Sequence, residues 1–328
     1  MLWGFINSRC LGIAVALIGL PIGSTSTAEV VLKAGTFLPP NTSFGGMFTR
    51  WVDKVNADGK GLVRLDIVAG PSAIAPPELA NAVKAGVLDI ANVAGNFYQN
   101  LLPVADAAKL ITKQWADLRR NGGYDWYNGL HHQRVNAHLV AVYGGPDIAH
   151  HIYLTKKIDK LEDLRGMKLR SSATYRSFFQ SLGVTPIQLN PSDAYPALEK
   201  GIVQGYGWPA WDIKAMGWLE VTKFRIDPPV YSISIHIIAN LPKWNSLSGP
   251  QREFLSKMGI WLEEEFPKWA REKGDAEYRM QDAAGIKAIK LEGDVAARYL
   301  KLAYDAAWEE ARQLAPIDAP ILKRYIFD

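Results

Sequence analysis

The sequence has almost no cysteine. Its single cysteine, Cys10, lies within the first 28 of 328 residues, so the remainder of the chain cannot form a disulfide. Such a protein must be held together by a hydrophobic core, and 48% of the residues are hydrophobic. The composition therefore excludes a small disulfide-bonded scaffold and a disordered tail.

A strong excess of charge of one sign is also missing. The chain has 37 basic and 33 acidic residues, and the basic residues cluster only in pairs such as Arg119-Arg120. Proteins that bind nucleic acids concentrate basic residues in a patch that contacts phosphates. We therefore expect no nucleic acid as a partner.

The N-terminal apolar run is too short to be a typical membrane span. It extends from Leu11 to Leu20, after Arg9, whereas a spanning helix needs about 20 apolar residues. The small residues Ser26-Thr27-Ala28 follow it, as in a signal peptide cleavage site. We predict that residues 1–28 are a signal peptide and that the protein is exported to the periplasm. A retained membrane anchor is the alternative.

Motifs of catalytic and metal sites are absent: there is no His-Glu-x-x-His, no Gly-x-Ser-x-Gly and no phosphate-binding loop. Adjacent histidines, as in His131-His132 and His150-His151, do not point at one ligand. Residues 205–210 match a loose dinucleotide pattern, but Trp208 is bulky and Pro209 has no N–H for a pyrophosphate. We predict no metal ion and no cofactor.

Short apolar segments alternate with longer amphipathic ones along the rest of the chain, which predicts an α/β fold in two domains. The predicted strands cover residues 30–35, 62–68, 87–93, 139–143, 167–170 and 232–238. The predicted helices cover residues 46–56, 77–85, 115–137, 174–182, 192–200, 248–282 and 295–314.

Four spaced motifs resemble the substrate-binding proteins of tripartite ATP-independent periplasmic (TRAP) transporters. The first is Asp-Leu-Arg-Gly-Met-Lys-Leu-Arg at 163–170, followed by Leu-Gly-Val-Thr-Pro at 182–186. Then come Tyr-Pro-Ala-Leu-Glu-Lys-Gly at 195–201 and Asn-Leu-Pro-Lys-Trp-Asn-Ser-Leu at 240–247. Together with the first strand and the helix-strand unit at 78–90, the similarity covers nearly the whole chain after residue 28.

The resemblance implies a two-lobed periplasmic binding protein, type II-like, with a mixed sheet and helices on both faces in each lobe. The long helix at 248–282 would span both lobes. We expect lobe 1 to comprise 29–147 and 236–275, and lobe 2 to comprise 148–235 and 276–328, with a hinge near residues 147 and 236. The protein would close on a small carboxylate and deliver it to the membrane permease subunits of a TRAP transporter.

In that family the arginine that falls on Arg170 pairs with the substrate carboxylate, and the planar donor fork of a guanidinium suits this role. Two positions depart from the family pattern. Trp208 replaces an asparagine, and Gly207 lacks the carboxylate by which one subgroup binds a metal ion. His150 and His151 stand where a second arginine is common, and a neutral histidine donates one hydrogen bond. We therefore expect either His150 or His151 to face the cleft and to donate a hydrogen bond to the ligand.

These departures favour a monocarboxylate with an aromatic, 2-oxo acid or 2-hydroxy acid body, because aromatic walls give contact area to flat rings. A C4-dicarboxylate or a sugar acid remains the alternative, and an exported hydrolase using Asp212 or Asp193 is a more distant one. Tyr206 and Trp211 are equally compatible with ordinary core positions. The predicted ligand-binding residues are Arg170, Trp208, His150, His151, Phe37, Asn96, Tyr206 and Trp211.

Overall fold

The computed structural model of the protein describes residues 1–4, 28–148 and 150–327. The predicted signal peptide, including Cys10, lies almost entirely outside these residues. Within the described ranges, no helix combines the length and apolar character needed to cross a membrane.

The first lobe is built on a mixed five-stranded sheet. Strands β1 and β2 are parallel, as are β1 and β3, whereas β10 runs antiparallel to both β3 and β4. The spatial order is β2-β1-β3-β10-β4. The strands are β1 (Val30–Thr36), β2 (Val63–Ala69), β3 (Ile90–Ala94), β4 (Ala137–Gly145) and β10 (Ile233–Asn240).

The second lobe contains a mixed six-stranded sheet in the order β11-β9-β5-β8-β6-β7. Its strands are β5 (His150–Leu154), β6 (Lys168–Ser171), β7 (Thr185–Gln188), β8 (Gly205–Pro209), β9 (Phe224–Asp227) and β11 (Lys287–Lys290). Strand β5 is antiparallel to β8 and β9, while β6 is parallel to β7 and β8. Of these six strands the sequence pattern predicts only β6.

Helices pack on the two sheets, and most of them lie where the periodicity predicts. The segment 115–137 is an exception, because Gly122 in the left-handed conformation (φ 82°) separates two helices there and a π-helical turn follows at His131–Val135. The helices are α1 (Ser43–Asp58), α2 (Leu79–Lys84), α3 (Val104–Ala107), α4 (Trp115–Asn121), α5 (Gly123–Leu130), α6 (Ala173–Ser181), α7 (Pro191–Glu199), α8 (Leu241–Ser246), α9 (Gly249–Ala283), α10 (Gly293–Leu314) and α11 (Asp318–Ile326).

The 35-residue helix α9 contacts both lobes. It begins at a capping box in which the Ser248 side chain accepts from the backbone N–H of Gln251, which satisfies a free donor of the first turn. In the first lobe, Trp51 Nε1 donates to the carbonyl of Met258 at 2.9 Å. In the second lobe, Gln281 Nε2 donates to the carbonyl of Ala210 at 2.6 Å. The predicted spanning helix is confirmed.

The chain passes between the sheets from β4 to β5 and from β9 to β10. His236, near which the second crossing is predicted, lies inside β10, and that strand pairs with neighbours on both sides. The second connecting segment comprises residues 228–232 instead. The lobe boundaries stay a prediction; α10 packs on α6, while α11 contacts α3, α4 and α5.

A buried network of tyrosines and histidines lies under the first sheet. His131 Nδ1 donates to the carbonyl of Tyr127 at 2.9 Å, so its Nε2 accepts from the hydroxyl of Tyr98, also at 2.9 Å. That hydroxyl accepts from Nδ1 of His236, whose Nε2 accepts from the Tyr127 hydroxyl. Each polar atom has a partner, and one arrangement of protons satisfies them all.

Candidate ligand-binding site

A cavity between the two lobes collects residues from the carboxyl ends of several strands. The space between its lining atoms is about 570 Å³. Strand ends of this kind form the ligand crevices of open α/β sheets. This volume lies within the range of ligand pockets, about 300–1,000 Å³.

Arg170 is the third residue of β6 and is 1% exposed. Its Nε donates to the carbonyl of Leu189 at 3.0 Å and its Nη1 to that of Gly207 at 3.3 Å. The guanidinium forms no ion pair with a carboxylate of the described residues. Burial lowers the pKa of Arg170 to about 10, so it is still a cation at neutral pH. The Asp193 carboxylate opposes part of this lowering without forming an ion pair. A buried charge without a directly bonded counter-ion is costly, and an anionic ligand would offset that cost.

Trp208 forms one wall of the cavity, beside that cation. The Arg170 Cζ lies 5.3 Å from the centre of the indole ring, within the range of a cation–π contact. The indole Nε1 donates to the carbonyl of Trp211 at 3.0 Å, and Trp218 packs edge-on against the ring at 4.8 Å. Because its polar atom is already bonded, Trp208 offers an apolar surface to a ligand.

His150, the first residue of β5, also lines the cavity. Its Nδ1 lies 3.1 Å from the carbonyl oxygen of Tyr231. A carbonyl only accepts, so Nδ1 carries the proton and Nε2 of the neutral ring is an acceptor. Burial lowers the pKa of His150 to about 4, which keeps the ring neutral at pH 7. The expected hydrogen bond from His150 to the ligand does not fit this geometry, because the single proton of the ring is bonded to Tyr231.

Phe37 and Asn96 both line the cavity from the first lobe. Phe37 follows β1 and its ring lies 5.8 Å from that of Phe97. Asn96 follows β3, is half-buried, and also borders a wider groove that contains Arg176. Together with Arg170, Trp208 and His150, the structure thus brings five of the eight predicted residues to one cavity.

Three of the predicted residues do not line it. His151 points to the other face of β5, where its Nε2 and Nδ1 bond to the hydroxyl of Tyr278 at 2.7 Å and to a backbone carbonyl, because successive strand residues face opposite sides. Tyr206 is covered by Tyr153 at 5.1 Å and bonds to a threonine hydroxyl. Trp211 stacks on Phe44 at 5.4 Å. All three are core residues.

The sequence pattern misses a buried ion pair in the cavity wall. Lys109 Nζ lies 2.6 Å from Oδ2 of Asp106, and both residues are less than 10% exposed. Lys109 also donates to the carbonyl of Thr174 at 2.8 Å, while the Thr174 hydroxyl donates to Asp106 at 3.1 Å. These contacts join the first lobe to α6 of the second. The spacing of three residues suggests an ion pair but gives no hint of its place in the cavity.

Tyr175 is a second residue that the pattern misses. Its ring lies on Gly207, where an added Cβ would be 2.5 Å from Cδ1 of the tyrosine. Its Oη is buried and has no hydrogen-bond partner among the described residues. Burial raises the pKa of Tyr175 well above its usual value, although Arg170 nearby opposes part of that rise. The phenol therefore stays protonated, and it is a free donor next to the cation.

Comparison with known proteins finds a matching family and a similar protein. The family model described as bacterial extracellular solute-binding protein, family 7 (DctP), matches residues 34–312. The outer membrane transporter protein TsaT of Comamonas testosteroni is 21% identical over an alignment of 328 positions, which covers 98% of this chain and 92% of that protein.

Solved structures share the fold. DctP6 of Bordetella pertussis, an extracytoplasmic solute receptor binding pyroglutamic acid, has a TM-score of 0.80 at 16% identity and covers 90% of this chain and 99% of its own. A marine metagenome TRAP solute-binding protein specific for aromatic acids, solved with 3-hydroxybenzoate, has a TM-score of 0.77 at 22% identity, with coverages of 92% and 97%. The two-lobed architecture is that of TRAP solute receptors.

Proposed function

The chain belongs to family 7 of the bacterial extracellular solute-binding proteins, and we propose that it is the periplasmic receptor of a TRAP transporter for an organic monocarboxylate. The proposal includes no catalysis. The observation that carries it is the buried, unpaired guanidinium of Arg170 in the cavity between the lobes.

The charges around the cavity favour one negative charge on the ligand. Lys109 and Asp106 neutralise each other, and His150 is neutral because its pKa is lowered to about 4. Arg170 is then the one uncompensated charge among the described lining residues. A bidentate guanidinium–carboxylate pair would satisfy it, and Tyr175 Oη, free and close by, would donate to the same carboxylate.

The apolar walls favour a flat or ring-shaped body for the ligand. Trp208, Phe37, Phe97 and the Tyr175 ring all line the cavity, and aromatic side chains give large contact areas to rings. Pyroglutamic acid and 3-hydroxybenzoate, which the two solved relatives bind, are ring-bearing monocarboxylates of this kind. A second carboxylate would find no second unpaired cation in the described lining.

The contacts between the lobes support closure around the ligand by a hinge motion. Lys109 and Thr174 are in contact across the cavity. At the N-terminus of α1, the Asp212 carboxylate of the second lobe accepts a hydrogen bond from the backbone N–H of Ser43 at 2.8 Å. A closed receptor of this shape would present one surface to the permease subunits of the transporter.

Isothermal titration calorimetry of the Arg170→Lys variant tests the proposal, with benzoate, 3-hydroxybenzoate, pyroglutamate, succinate and galacturonate as probes. Lysine cannot form the bidentate pair, and we expect a loss of about 2–3 kcal/mol, or about 30- to 150-fold in affinity. The matched control is Arg165→Lys, on the exposed turn before the same strand, which should bind as the wild type does.

Four results would contradict the proposal. Unchanged binding by the Arg170→Lys variant would remove the guanidinium from the site. Tighter binding of succinate than of every monocarboxylate would overturn the assignment of charge. Tighter binding of galacturonate than of the other acids would overturn the assignment of an apolar ligand body. Conversion of a bound acid to a product, followed by chromatography of the recovered ligand, would identify an enzyme.

A further inference from the structure

His150 lines the cavity, and Nε2 of its neutral ring is a hydrogen-bond acceptor because Nδ1 carries the proton. On the basis of the proposed function, we propose that the natural ligand carries a hydrogen-bond donor beside its carboxylate, a hydroxyl or a ring N–H, and that Nε2 of His150 accepts it. His150 would then be the residue by which the receptor selects hydroxylated or N–H-bearing acids over their plain analogues.

The tautomer is fixed by the backbone around β5. The Tyr231 carbonyl accepts both the backbone N–H of His150 at 3.0 Å and its Nδ1–H at 3.1 Å. The carbonyl of His150 in turn accepts the backbone N–H of Val230 at 2.9 Å. The ring is thus anchored by the segment that connects the lobes, with Nδ1 occupied. Nε2 has no hydrogen-bond partner among the described residues.

The surroundings keep Nε2 without a proton. The ring is 5% exposed, and burial is the largest cause of its lowered pKa. The charged and titratable groups that act on it are Lys109 and His151, which lower the pKa further, and Asp106, which raises it. Because the lysine and the aspartate form an ion pair, they offset each other in part. The ring stays an acceptor at the pH of the periplasm.

Three hydroxyl groups of the cavity lining can also accept a hydrogen bond from a ligand, because their own protons are already donated. Ser232 Oγ donates to the carbonyl of Ile111 at 2.8 Å, and Ser234 Oγ donates to that of Ala108 at 3.1 Å. The Thr174 hydroxyl donates to Asp106. Each has used its proton, and only its lone pairs are left for a ligand. Arg170, Tyr175 and the side-chain amide of Asn96 are donors in the lining, and these hydroxyls add acceptors to the same cavity.

An acid without a hydrogen-bond donor beside its carboxylate would leave Nε2 of His150 buried and without a partner when the lobes close. An unsatisfied buried polar group costs about 1–3 kcal/mol, so we expect such an acid to bind about 5- to 150-fold more weakly than its donor-bearing analogue. Sites that bind a substrate hydroxyl reject analogues lacking it for this reason.

Calorimetry on two matched pairs tests the inference: 3-hydroxybenzoate against benzoate, and pyroglutamate against 5-oxotetrahydrofuran-2-carboxylate, in which a ring oxygen replaces the N–H. The wild type should prefer the donor-bearing member of whichever pair it binds. The His150→Phe variant keeps a ring but loses the acceptor, and its preference should fall to within about 3-fold. Arg170→Lys, by contrast, should weaken both members of a pair alike.

The outcomes separate the two proposals. Equal binding of both members of a pair by the wild type, or a preference that persists in His150→Phe, would overturn the inference and leave the carboxylate receptor intact. Failure of all four acids to bind would overturn both. If the His150→Phe variant does not fold, the ¹⁵N resonance of Nε2 in the wild-type protein tests the inference instead. We expect an unprotonated nitrogen whose signal shifts with 3-hydroxybenzoate and not with benzoate; a protonated Nε2 would refute the assignment.

Discussion

Replacing Gly207 by alanine would push the Tyr175 ring into the cavity. Gly207 lies in the middle of β8, and a Cβ there would be 2.5–2.6 Å from three atoms of that ring, about 1 Å inside ordinary contact distance. The ring is 2% exposed, stacked on Phe179 at 5.4 Å and edge-on to His150 at 5.5 Å. Because protein occupies these sides, the cavity is the direction in which the ring can move.

We estimate the cost from two opposing effects. Overpacking a core with one methyl group costs about 1–3 kcal/mol, while the smaller backbone entropy of unfolded alanine returns about 0.4–1 kcal/mol. A net destabilisation of about 1–2 kcal/mol follows, measured by equilibrium urea unfolding with tryptophan fluorescence. Ligand affinity should fall as well, because Tyr175 and the carbonyl of Gly207 both lie beside Arg170.

A double-mutant cycle with Tyr175→Leu tests the cause. If the ring is what the methyl group meets, Gly207→Ala should cost less than about 0.5 kcal/mol in that background. Gly129→Ala is the matched control, because nothing lies within 4 Å of its added Cβ on helix α5, and it should gain about 0.5–1 kcal/mol. Full stability of Gly207→Ala, or an equal cost with Tyr175 and with leucine, would refute the steric argument.

The part of the site that sequence reasoning finds is local in the chain. Arg170 and Trp208 lie in or beside short motifs, and Phe37 and Asn96 follow recognisable strands, so neighbours along the chain are enough to place them. Lys109 is different, because its partner Thr174 is 65 residues away. Without the fold, no pattern around this lysine connects it to a cavity.

The histidine pair shows a second limit. Adjacent strand residues face opposite sides. Because His150 and His151 both lie in strand β5, only one of the two side chains can face the cavity. The sequence did not predict β5, because its five residues are all buried and show no alternation. Which face of the strand meets the cavity follows from its pairing with β8 and β9.

Three of the five missed strands of the second sheet are very short. β7, β9 and β11 have four residues each, and a period of two cannot be distinguished from chance over that length. The prediction of a single helix at 115–137 is wrong for a different reason. Its apolar spacing continues through Gly122, which has a positive φ, and a single glycine inside a helical pattern does not by itself announce a break.

Three further predictions concern closure, the buried network and pH. Asp212→Gly removes the acceptor of the Ser43 N–H without backbone strain, since Asp212 has φ 69°. If that contact forms only in the closed state, affinity measured by calorimetry should fall about 5- to 30-fold; unchanged affinity would show that it does not hold the lobes together. Tyr98→Phe leaves His131 Nε2 without its donor and should cost about 1–3 kcal/mol in urea unfolding, whereas a cost under about 0.5 kcal/mol would contradict the network. The pKa values of His131 and His150 are both lowered to about 4, chiefly by burial, while unfolded histidine titrates near pH 6.5. The unfolded chain therefore binds more protons between these values, so the contribution of both residues is complete above pH 6.5 and is lost as the pH falls to 4. The urea midpoint should decrease from pH 7 to pH 4.5, and it should decrease less in His150→Phe; equal decreases in the two proteins would show that His150 is not buried as a neutral ring.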